Sequence, residues 1–288
     1  MSMEASIPHA FPFAALCSAV DPSMGARHLS HVEAALGMVR KYCESPGAAD
    51  VRVKGRLLEG VLCVAMGLKF AAMGTTELHC LRSCIGNWLG PTLIGEIPDE
   101  MQVRARDDMW VQEVSTANED PDAVASFPHA LTGDEECVAD ALAKRAVIHP
   151  RSESNRGCGV VGVLDEAGGG VVLLLLEAKC TTGESAVKLR EKAQNALEDV
   201  LELSTRKRHL LGGRRIAHVA FAVVLAGGMG EAAGAGAFDN EVLAAAIGEL
   251  GKLGVSVSLH LCYGPQDMQR LLTPPIYHVI PDGVYRAE

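Results

Sequence analysis

Glu177 and Lys179 close the run Gly170-Val-Val-Leu-Leu-Leu-Leu-Glu-Ala-Lys. The apolar stretch reads as a buried strand. Side chains alternate along a strand, so residues two apart share a face. A carboxylate and an ammonium therefore project together from the end of a core strand. Opposite charges at the edge of a core are costly unless they are paired or used. The chemistry open to such residue types is divalent-metal chemistry. Carboxylates hold a divalent cation such as Mg2+, and two acids hold it well where one holds it poorly. The alternative is a structural ion pair capping the sheet.

The elements around that strand decide where the pair sits. Residues 159–164 read as a first strand, Asp165-Glu-Ala-Gly-Gly-Gly as a turn, and 171–179 as the second strand of a hairpin. An amphipathic helix follows over 184–207, with Val187, Ala193, Leu197, Val200 and Leu201 on one face. Residues 216–225 read as a strand buried on both faces, 240–253 as a helix, 254–262 as an alternating strand and 276–280 as a last strand. A helix over 135–146, capped by Thr132 or Asp134, precedes the hairpin. The link from 171–179 through the helix to 216–225 is the crossover that parallel neighbours need. Residues 134–288 thus predict an α/β domain with a mixed sheet.

Upstream, residues 1–97 read as a mainly helical region. Helical apolar spacing covers 29–42, 52–73 and 77–88, and Gly90-Pro91 stops the last of these. Residues 98–133 carry Pro98, Pro121, Pro128 and many acids, and predict a connecting segment around one strand near 109–114.

Composition narrows the function classes. The chain has 288 residues, 48% hydrophobic and 22% charged, which is a globular balance. Aromatics make up 4%, which weakens any scheme that stacks single-stranded bases on aromatic rings. A net charge of -10 argues against a chain coated for non-specific DNA binding. Nine cysteines, an odd number without a Cys-x-x-Cys pair, read as reduced and buried in an intracellular protein, cytoplasmic or nuclear. No continuous apolar run approaches the ~18 residues of a membrane span, so no membrane partner is expected. The apolar piece at 10–20 contains Pro12 and follows no basic residue, so no secretory signal is expected.

The order of hairpin, Glu177-Ala178-Lys179 at its end, helix and buried strand resembles the PD-(D/E)xK nuclease-like superfamily. The resemblance covers residues 134–226. It implies a restriction-endonuclease-like core, a mixed central sheet flanked by helices, here with the helical N-terminal region added. It implies metal-dependent hydrolysis of DNA or RNA with Mg2+ or Mn2+. Glu177 would be a metal ligand. Lys179 would orient or help deprotonate the attacking water and stabilise the transition-state charge. Gln194, on the following helix, would steady the site or the water. A helical acid before the hairpin, from Glu59, Glu135 or Glu136, would add a ligand.

The family also places an Asp on the first hairpin strand, opposite the Glu. Asp165 sits near the turn, about nine residues or roughly 25–30 Å up the second strand at ~3.3 Å per residue. The residue facing Glu177 falls near Gly159, within Asn155-Arg-Gly-Cys-Gly-Val. Three arrangements stay open. Offset strands bring Asp165 to the metal, or Glu153 replaces it, or the metal site is incomplete. In the last case the fold is a catalytically inactive binding or interaction module, with nucleic acid or protein as partner. From Lys179 to Arg215 there are nine Lys/Arg and five Asp/Glu. Arg206, Lys207, Arg208, Arg214 and Arg215 are placed to contact phosphates. Otherwise they complement a helix C-terminal dipole.

Overall fold

The leucine-rich run becomes the central strand of a nine-stranded sheet in the computed structural model. The structure describes residues 51–73, 75–106, 111–114, 135–150, 158–179, 185–225, 238, 241–263, 266–267 and 270–271. In chain order the elements are α1 (Val51–Met73), β1 (His79–Cys80), α2 (Leu81–Leu89), β2 (Ile94–Gly95), β3 (Gln102–Arg104) and β4 (Val111–Val114). Then come α3 (Glu135–Lys144), β5 (Val147–Pro150), β6 (Val160–Glu166) and β7 (Val171–Lys179). The last are α4 (Ala186–Thr205), a 3-10 turn (Arg208–Leu211), β8 (Ile216–Leu225), α5 (Glu241–Lys252) and β9 (Ser256–Tyr263).

The run in β7 is unbroken because helices cover both faces of the sheet. Val172, Leu174, Leu176 and Ala178 pack in the core under α1 and α2. Val171, Leu173 and Leu175 pack in the core under α3, α4 and α5. Each fully buried leucine contributes about 2 kcal/mol by transfer alone. β6 and β7 form the expected antiparallel hairpin. β7 and β8 are parallel, joined by the α4 crossover, and β9 lies parallel beyond β8. All ten residues of β8 are buried, which its two-sided apolar composition requires. Ser185 caps α4 by accepting a hydrogen bond from the Lys188 N–H. The architecture is α/β, with a mixed sheet between helices.

The upstream region departs from a purely helical reading. His79 and Cys80 pair with Val103 and Gln102, so β1 and β3 join the same sheet. That extended pair delays α2, which starts at Leu81 rather than 77. α2 stops at Gly90, whose φ of 76° suits glycine, just before Pro91. β2 pairs with β9 at the far edge. β3 pairs with β6, so the connecting segment also contributes to the sheet. β5 was not legible as a strand, because its four residues run directly on from α3. The expectations over 29–42, Thr132, Asp134 and 276–280 lie outside the described residues. No helix among the described residues is long and apolar enough to cross a membrane.

Candidate functional site

Strand alternation puts Glu177 on the α4 side of the sheet, in line with Leu173 and Leu175. Its side chain is 4% exposed. Lys179 Nζ approaches Glu177 Oε1 at 2.7 Å, which is the pairing the spacing implies. A second ammonium reaches the same oxygen. Lys192 Nζ, from α4, lies 3.0 Å away. One carboxylate thus carries two cations, and the trio holds a net positive charge. Lys192 follows Leu189 and precedes Ala193 on the buried stripe of α4. A lysine beside that stripe was a readable signal that its head reaches the sheet.

The first hairpin strand enters through an irregularity. Val160 lies opposite Leu176, and the Gly159 N–H also donates to the Leu176 carbonyl at 3.0 Å. Two residues opposite one is a β-bulge, and it shifts the alternation by one position. Gly159 therefore turns toward α1. An added Cβ there would meet the Glu59 carboxyl carbon at 2.5 Å. Cys158 turns the other way and joins the core under α4. The position facing Glu177 across the hairpin is thus occupied by a buried thiol. Burial pushes the Cys158 thiol well up, and Asp199, Glu177 and Glu59 push it further while Lys192 opposes them. Cys158 sits amid three carboxylates and an ammonium, none of which makes it a nucleophile.

Asp165 is not brought to Glu177. It lies opposite Val171, six positions from Glu177 along β7 and about 20 Å away at ~3.3 Å per residue. That is closer than the nine positions inferred from the sequence, and still out of reach. Asp165 instead accepts from Arg106 Nε at 3.0 Å and Arg214 Nη1 at 2.9 Å. Arg106 Nη2 is also 2.9 Å from Asp165, off the line of a hydrogen bond, so that contact is Coulombic. Both arginines donate to the Leu142 carbonyl at the end of α3, and Arg106 also reaches the Arg145 carbonyl. Cations on the last carbonyls of a helix stabilise it. Asp165 and Arg214 therefore latch α3 to the sheet.

The remaining candidates separate. Gln194 donates to Glu198 at 2.8 Å along α4. It lies two residues past Lys192, about 200° round the helix, which explains why lysine rather than glutamine meets Glu177. Glu135 pairs with Lys207 at 3.5 Å and with His209 at 3.4 Å, and Glu136 is exposed. Lys207 also pairs with Glu202. Arg206 and Arg208 are exposed. Arg215 reaches Glu166 at 3.6 Å with its side chain 56% exposed. Glu153 and Asn155 lie outside the described residues.

No family model, curated protein or solved structure matches the chain. The site is therefore read from its own geometry. A Mg2+ or Mn2+ ion asks for an octahedral set of oxygens with one or two carboxylates. Here the Glu177 oxygen is shared by two ammonium groups, and a cysteine faces it. Among the described residues, no three His, Cys, Asp or Glu side chains are grouped to hold a metal. This donor set, as folded, does not fit such an ion.

Proposed function

We propose that the chain is a nuclease-like fold serving as a non-cutting module that binds the phosphate backbone of nucleic acid. The order α1, hairpin, crossover helix and parallel β8 supports the restriction-endonuclease-like reading of the core. The observation that carries the non-cutting part is Glu177, neutralised by Lys179 and Lys192 with Cys158 across from it. Arg206 and Arg208, with Arg215 beyond the 3-10 turn, form the phosphate-facing side. Lys207 and Arg214 support it through Glu135, Glu202 and Asp165.

Fluorescence anisotropy with labelled single- and double-stranded DNA and RNA tests this reading. Each lost phosphate contact lowers the log–log salt slope by about 0.7–0.9. Arg206→Ala/Arg208→Ala/Arg215→Ala therefore lowers it by about 2–3. Equal affinity and slope in the two proteins, or no binding at low salt, would overturn it.

A second reading, a metal-dependent nuclease acting on DNA or RNA, is favoured by one observation. The Glu59 carboxyl lies against Gly159, beside the strand on which the superfamily carries its second acid. Glu59 lies on the α1 side of the sheet and Glu177 on the α4 side, so that reading requires them to meet round the strand end and hold Mg2+ or Mn2+ after both ammonium groups have left. Cleavage that disappears in both Glu59→Gln and Glu177→Gln would establish it over the first.

A further inference from the structure

A chain of buried polar groups crosses the opposite side of the sheet, on the face covered by α1 and α2. β8 and β9 are parallel neighbours, with His218 opposite Ser256, Ala220 opposite Ser258 and Ala222 opposite His260. The two alanines leave room for the imidazoles. Ser256 Oγ lies 3.2 Å from the Ala217 carbonyl oxygen and 2.8 Å from His218 Nδ1. His218 Nε2 lies 3.0 Å from Ser258 Oγ. That hydroxyl lies 2.9 Å from His260 Nε2, and His260 Nδ1 lies 3.1 Å from the Pro91 carbonyl oxygen. His218, Ser258 and His260 are fully buried.

Those are five consecutive contacts, and each needs one proton. Both ends are carbonyl oxygens, which only accept. Two hydroxyls and two neutral imidazoles supply one proton each, which makes four. The shortage falls at Ser258 or at the Ser256–Ala217 end, according to which His218 nitrogen carries the proton. When both rings turn Nδ1–H outward toward the carbonyl ends, both bare Nε2 atoms point at one hydroxyl. That hydroxyl donates to one ring only, and the other is left lone pair to lone pair. One added proton removes the conflict. The protonated ring then donates Nε2–H to Ser258, and Ser258 donates to the neutral ring. A second added proton finds no place, because the Ser258 hydroxyl would lose its acceptor.

We infer that His218, Ser258 and His260 form a buried acceptor for a single proton, a pH-sensitive latch on the Gly90–Pro91 turn between α2 and β2. With the proton bound, all five contacts close and the turn is tied through the sheet to the Ala217 carbonyl. Without it, one contact stays open. Burial, with His260 beside it, pushes His218 down to about 3, and burial, opposed by the Pro91 and Gly90 carbonyls, leaves His260 at about 4. The missing proton works against that for one ring and not for both. The charged group facing His218 is His260. Among the described residues, these titratable groups of the packed elements have other partners, and Arg270 also lies against Gly90 at the same turn. Lys69 of α1 donates to the Arg270 carbonyl, Arg270 pairs with Asp267, and the Cys262 thiol points to the Leu89 carbonyl. His79 meets the Met73 carbonyl.

Long-range 1H–15N spectra of the full chain, followed from pH 8 to pH 5, test the inference. The two rings are assigned with His218→Gln and His260→Gln. In the wild type, one proton's worth of nitrogen shift should spread over both rings. Ser258→Ala cuts the chain into two pieces whose contacts and protons match, so the need for a fifth proton vanishes. Ser256→Ala does the same from the other end and serves where the first variant fails to fold. Either should bind the proton about tenfold more weakly, the worth of one hydrogen bond to a charged group. Equal midpoints in wild type and variants would overturn the inference. So would rings that stay neutral throughout the range, or that each take a full proton independently.

Discussion

Removing the charge of Glu177 while keeping its shape should destabilise the protein. Glu177→Gln leaves Lys179 and Lys192 facing each other across a neutral amide. Both nitrogens lie within 3.0 Å of one oxygen, so they are at most about 6 Å apart. At an effective dielectric of about 20, two like charges at about 5 Å repel by about 3 kcal/mol. The lysine side chains are 25% and 23% exposed, so water and rearrangement relieve part of this. The expected loss is about 2 kcal/mol. Lys179→Met or Lys192→Met alone leaves a neutral pair and should cost about 1 kcal/mol or less. Adding Lys179→Met to Glu177→Gln should recover part of the loss, because one ammonium no longer has a rival. Urea unfolding of the four variants in EDTA measures this order. A Glu177→Gln protein as stable as the wild type, or more stable, would refute the reasoning. It would mean that the carboxylate is held at a cost, as a ligand is.

The remaining predictions concern the hairpin bulge and the buried histidines. Gly159→Ala places a Cβ 2.5 Å from the Glu59 carboxyl and should lower stability by about 1 kcal/mol, since the flexible Glu59 side chain can swing aside, an effect that Glu59→Ala relieves. Gly86→Ala, in α2 with nothing within 4 Å, is the control and should raise the melting temperature slightly. His218 and His260 have folded values below the ordinary 6.5, so the unfolded chain binds the protons the folded chain declines. Their contribution is fully present above about pH 6.5 and is lost as pH falls toward 4, at ~1.4 kcal/mol per ring per unit. One shared proton spares one ring. The wild type should then lose about 2 kcal/mol between pH 6.5 and pH 5, and Ser258→Ala about 1 kcal/mol more, in keeping with its tenfold weaker proton binding. Urea titrations at the two pH values check this, and equal losses would contradict it.

The sheet was legible where its signals are local. The two-sided run 171–176, the glycine turn and the amphipathic stripe of α4 each follow from period and composition. β8 matched its expected range because nothing polar but His218 interrupts it. The short strands were not legible. Two- to four-residue strands such as β1 and β5 carry no period, and their partners lie far away in sequence. Part of the site followed from spacing, the pairing of Glu177 with Lys179, whereas Asp165, one of three arrangements the sequence leaves open, is held by Arg106 and Arg214 instead. The rest depended on one backbone irregularity. The bulge at Gly159 exchanges the faces of Cys158 and Gly159, and no alternation rule locates it beforehand. Gln194, the expected helical contributor, bonds Glu198, and Lys192 two residues before it meets Glu177. Two residues on a helix point to nearly opposite sides.

On the proposed reading, Glu177 is neutralised by Lys179 and Lys192 and the protein does not cut nucleic acid. A hydrolysis assay tests it most directly. The full chain is incubated with single- and double-stranded DNA and RNA in Mg2+ or Mn2+, beside Glu177→Gln and an EDTA control. Both proteins should bind without cleavage above the EDTA background. Metal-dependent cleavage by the wild type that vanishes in Glu177→Gln would contradict it.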